Sequence, residues 1–92
     1  MVLAFSEFGR RVKENDSQGT DHGAAAPVFL AGGKTAGGLV GATPDLSDLD
    51  NGDVKMNVDL RSIYAALLDD WLGVDSSTVL GKSFPKTKVL RT

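Results

Sequence analysis

The chain has 92 residues, 41% of them hydrophobic and 24% charged, with a net charge of −2; this is the size and balance of one small soluble domain, expected to span 1–92. The mixed charges make no basic stripe, which excludes a nucleic-acid footprint. With no cysteine, disulfides, thiolate catalysis and Cys-based zinc sites are excluded too. The apolar runs fall far short of the ~20 residues that cross a bilayer, so no membrane partner is expected.

The first predicted element is Val2–Phe5, a continuous apolar run of the kind that forms a strand covered on both faces. It begins abruptly and has no basic segment before it, so it does not read as a signal peptide. The compartment is left open. From Ser6 to Ala26 the chain is polar, with Phe8 and Val12 its only large apolar residues, and reads as a long loop. Pro27–Ala31 is a second strand, with Pro at the first position where a strand tolerates it. A glycine-rich turn, Gly32–Gly38, leads to Leu39–Ala42, a short strand expected to return as a hairpin. Thr43–Asn57 is polar and acidic, with a turn at Asp50-Asn51-Gly52.

The clearest element is a helix from about Leu60 to Leu72. Leu60, Ile63, Tyr64, Leu67, Leu68, Trp71 and Leu72 form one broad stripe at helical spacing. Asp59 suits the N-cap and Gly73 the C′ position, whereas Asp69 and Asp70 oppose the helix dipole. A second short helix is predicted over Ser76–Leu80, capped by Asp75 and stopped by Gly81. The tail is extended, with Val89–Leu90 able to join a sheet edge. The order of elements predicts an α/β or α+β chain, a short sheet with a hairpin and one main amphipathic helix.

Few residues carry a chemical signal. His22 is the lone histidine and follows Asp21; imidazole beside carboxylate is a common divalent-metal ligand pair, though a lone Asp-His pair in a loop is more often solvated surface. Glu7 directly follows a strand, where ligands collect in open α/β sheets, with Arg10 as a possible anion-binding partner; a salt-bridging loop explains both as well. Gly33-Lys34-Thr35 is not a phosphate-binding loop, because Val28 stands where that motif needs glycine. Asp45, Asp48, Asp50 and Asp53 lack the EF-hand pattern and read as an acidic loop. No serine has a flanking base at recognisable spacing, so no catalytic residue is assigned.

Taken together, VLAFSEFGRRVKENDSQGTDHGAAAPVFLAGG, GGLVGATPDLSDLDNGDVK, VDLRSIYAALLDDWLGVD and GKSFP resemble the last part of an uncharacterised bacterial family, typically exported, in the alkaline phosphatase and sulfatase superfamily. The resemblance covers nearly the whole chain. It implies a C-terminal segment of a larger alkaline-phosphatase-like fold, from a parent that is a metal-dependent phosphate or sulfate ester hydrolase. In that superfamily a strand ending in Ser/Thr-Asp-His-Gly supplies two metal ligands. Here Ser6-Glu7-Phe8-Gly9 keeps an acid and replaces the histidine with Phe8. A His before a Pro-Val strand matches His22, ahead of Pro27-Val28. The resemblance thus implies Glu7, Asp21 and His22 as metal residues, for Zn²⁺ or Mn²⁺, with the nucleophile outside this chain and no catalysis by these residues alone. The alternative expectation is a self-associating interaction or structural protein, a homo-oligomer joined through exposed strand edges.

Overall fold

The structure is a computed structural model and describes residues 1–91. Among the described residues it is mixed α and β, with six short strands paired two by two, two α-helices and a π-helical turn. The chain forms two compact bodies. One comprises 2–30 and 42–57; the other comprises Met1, 31–41 and the chain from 58 onward.

In the first body the expected long loop after Val2–Phe5 folds instead into a hairpin, β2 (Gly9–Glu14) with β3 (Thr20–Gly23). The strands are antiparallel, with Gly9 opposite Gly23, Arg10 opposite His22 and Glu14 opposite Thr20, and the register is irregular between Arg10 and Glu14. The turn is built from side-chain capping. The Asn15 carboxamide oxygen accepts from the Ser17 and Gly19 amides at 2.9 and 3.1 Å, and Gln18 takes a positive φ of 64°. Asn tolerates this role because its side chain mimics a backbone turn. Strands this polar on both faces carry no apolar alternation to announce them.

β1 (Val2–Ala4) pairs with β4 (Phe29–Ala31) as a two-stranded ladder. The expected burial on both faces is not found: Val2 is 64% exposed and Phe29 67%, because a ladder of two strands has no layer over its faces. The acidic segment contains a small hairpin, β5 (Leu49–Asp50) with β6 (Asp53–Val54). Its turn residues Asn51 and Gly52 both have positive φ, 50° and 89°, as an Asn-Gly hairpin turn requires. The acidic side chains are dispersed. Asp45 accepts from Ser47 at 2.6 Å, Asp48 pairs with Lys55 at 2.8 Å, and Asp53 accepts from Arg11 Nε and Nη2 at 3.3 and 3.2 Å. The last pair ties β6 to β2.

The second body holds the predicted helices. α1 (Leu60–Ala66) starts where Asp59 accepts the Arg61 amide at 2.9 Å, and runs on into a π-helical turn over Leu67–Trp71. The wider spacing shows in the Leu72 amide, which reaches the Leu67 carbonyl at 2.9 Å. Gly73, with φ 67°, ends it. The acids that oppose the dipole have other partners. Asp69 accepts from the Ser76 amide and hydroxyl at 2.8 and 3.0 Å, fastening α2 (Ser76–Leu80) to the turn before it, and Asp70 pairs with Lys86 at 3.0 Å. α2 is capped by Asp75 and stopped by Gly81 at φ 84°.

The hairpin expected from Leu39–Ala42 does not form; Leu39 is fully exposed. Its place is taken by the tail. Lys34–Ala36 lie antiparallel to Val89–Arg91, with Thr35 opposite Leu90 and main-chain bonds of 2.9 and 2.8 Å at Ala36 and Arg91. The core of this body is small. Among the described residues the buried hydrophobic positions are Ala65, Ala66, Leu67 and Leu90. α1 turns its small side, with Ser62, toward the tail, where Ser62 and Thr87 hydroxyls meet at 2.6 Å. Most of its large apolar stripe stays half-open or exposed around a cleft of about 400 Å³.

Hydrogen bonds from the Arg61 side chain and amide lower the Asp59 pKa from 3.8 to about 2. A carboxylate with a depressed folded-state pKa stabilises the fold above its unfolded value and stops doing so as pH falls through the folded one. The start of α1 should therefore weaken between pH 3.8 and about 2. Far-UV circular dichroism should show that acid step in the native chain and lose it in Asp59→Asn.

Candidate functional site

The residues singled out by sequence lie around the bend that joins β1 to β2. The Phe8 amide donates to the Ser6 hydroxyl at 3.4 Å, which shapes the bend. Gly9 is buried, and a Cβ there would overlap the carbonyl of Ala25. Only glycine permits so close an approach. That contact brings the bend against the segment that follows β3, so Phe8 and His22 meet. Their rings stack with centroids 3.7 Å apart and planes 9° from parallel. The Arg10 guanidinium lies 5.0 Å from the centre of the same Phe8 ring. It is held there by a 2.8 Å bond from Nη1 to the Thr20 carbonyl.

The three residues read as metal ligands are placed differently from one another. Glu7 is exposed on the bend, and no ion pair or hydrogen bond engages its carboxylate among the described residues. Asp21 and His22 are consecutive on β3, and consecutive strand residues point to opposite faces. His22 goes to Phe8, whereas Asp21 accepts from the Asn15 side chain at 3.1 Å. Among the described residues no three His, Asp or Glu side chains gather as a group able to hold a metal ion. The donors at this bend therefore do not make up a complete centre, and no chemical step is assigned to a metal here.

Two features escaped the sequence reading. The first is an open cleft of about 620 Å³ beside the bend, lined by Phe5, Phe8, Pro27 and Phe29 and by Arg10. Its signal was present as an aromatic residue in or next to both strands of the β1–β4 ladder, but strand pairing is not visible in one sequence. The second is the Arg11–Asp53 pair, whose partners are far apart in the chain. Gly23 and Gly52 crowd it: a Cβ on Gly23 would stand 3.0 Å from the Asp53 carboxylate, and one on Gly52 3.0 Å from the Arg11 guanidinium. The pair is half-exposed, a setting where ion pairs contribute about 1 kcal/mol or less.

Ring stacking of this kind contributes about 0.5–1.5 kcal/mol beyond area burial. A double-mutant cycle of Phe8→Ala and His22→Ala, followed by urea denaturation, should give a coupling energy in that range. A coupling near zero would mean that the rings are not held together in solution.

No curated protein and no solved structure matches the chain. Residues 1–86 match the family described as Protein of unknown function (DUF1501), and the chain belongs to that family.

Proposed function

We propose that this chain serves as the C-terminal segment of an alkaline-phosphatase-like domain, without the nucleophile and without catalysis of its own. Its parent is a metal-dependent phosphate or sulfate ester hydrolase-like protein, to which Glu7 and His22 contribute part of a divalent-metal ligand set. The contact between Phe8 and His22 carries this reading. The resemblance puts both residues at ligand positions, and their rings lie 3.7 Å apart although they come from different segments. An imidazole in place of Phe8 would stand beside His22. The partly open apolar stripe of α1 and its π-helical turn is a second support, since Trp71 and Leu72 are 42% and 55% exposed. Two-metal hydrolysis needs ions on both the attacking and the leaving oxygen, more than these donors supply. Titration calorimetry of the metal-stripped chain tests the reading. Phe8→His should tighten Zn²⁺ or Mn²⁺ binding by about tenfold, and adding His22→Ala should abolish the gain. An unchanged isotherm in Phe8→His would reject a ligand position there.

A second reading, self-association, is favoured by the β1–β4 ladder. A two-stranded sheet leaves outer edges unpaired, and unpaired edges template another chain. Exposed Val2, Phe5 and Phe29 would gain cover in a homodimer or larger assembly. Sedimentation velocity at high micromolar concentration should then show a species heavier than the monomer; a strictly monomeric boundary would eliminate this reading.

A further inference from the structure

The cleft beside the bend shares Phe5 and Phe29 with the face of the self-association reading and adds Arg10, which neither reading uses. Its walls are aromatic and aliphatic, with Phe5, Phe8, Pro27 and Phe29, and Arg10 is the one charged side chain among its lining residues. Arg11 is taken up by Asp53 and Arg61 by Asp59. Arg10 has no carboxylate partner among the described residues. A guanidinium has five N–H donors, and the bond to Thr20 uses Nη1. Nε and Nη2 have no protein acceptor among the described residues. Phe5 and Phe29 are 55% and 67% exposed, so their ring faces remain open for contact. The volume, about 620 Å³, lies within the roughly 300–1,000 Å³ of small-molecule clefts.

We infer that this cleft binds a small planar aromatic anion, its ring against Phe5 and Phe29 and its charge on Arg10. Aromatic rings favour offset or edge-on contact with the phenylalanines, and a planar anion matches the guanidinium fork. The lining offers no carboxylate to repel the ligand, and Glu7, the nearest acid in sequence, is not part of the wall. The inference needs no metal and does not rest on the hydrolase reading of Glu7 and His22.

Titrating 2-naphthoate and its neutral counterpart 2-naphthamide into the native chain, followed by heteronuclear NMR, separates charge recognition from simple apolar adhesion. Naphthoate should bind more tightly, with the largest shifts at Phe5, Arg10 and Phe29. Arg10→Gln should weaken naphthoate by about tenfold and leave naphthamide unchanged. Phe29→Ala, at a position 67% exposed, should weaken both. Equal binding of the two probes, or naphthoate binding indifferent to both variants, would overturn the inference. So would no binding to a chain whose Phe5 and Phe29 signals broaden with concentration, which would mean that a second copy covers the face.

Discussion

A single missing side chain organises the first body. Gly9 stands so close to the carbonyl of Ala25 that no Cβ fits between them. This contact sets the bend after β1 against the segment leaving β3, and through it Phe8 meets His22 and the floor of the aromatic cleft closes. β2 and β3 have almost no apolar side chains with which to choose a register. Their alignment is set by the Gly9–Gly23 pairing, the Asn15 turn and the Arg11–Asp53 tie to β6. Glycine is thus used where backbone must approach backbone, and charge where two hairpins must be joined without a core.

The second body is held by polar caps around a small apolar centre. Asp59, Asp69 and Asp75 each accept main-chain amides at a helix start, and Asp69 joins two helical segments at once. Ser62, Ala65 and Ala66 are the buried positions of α1, and the tail meets it where the Ser62 and Thr87 hydroxyls lie 2.6 Å apart. The larger side chains of the same helix remain half-open. An ordinary amphipathic helix buries its broad stripe; here Leu67 of that stripe is buried, whereas Trp71 and Leu72 stay exposed.

The parts legible in the sequence were those with local causes. α1, α2 and the Asp50–Asp53 turn follow from spacing, caps and positive-φ residues that neighbours in the chain specify. The polar hairpin of β2 and β3 was hidden because neither face is apolar. Leu39–Ala42 has strand-like composition, but Lys34–Ala36 pairs with Val89–Arg91 instead, a choice made between segments at opposite ends of the body. At the site, Glu7, Arg10, Asp21 and His22 were all visible as residue types. Their grouping was not: adjacency in sequence placed Asp21 beside His22, and the alternation of a strand turned them apart.

By itself, the sequence determined the two helical regions, their caps, the turn at Asp50-Asn51-Gly52 and which side of α1 is apolar, since each depends on groups within a few residues of one another. Only the tertiary structure decided which strands pair, which face of α1 is covered and which ring lies on His22. Those outcomes depend on contacts between distant segments, and the closest of them, Gly9 against Ala25, is invisible until both backbones are in place.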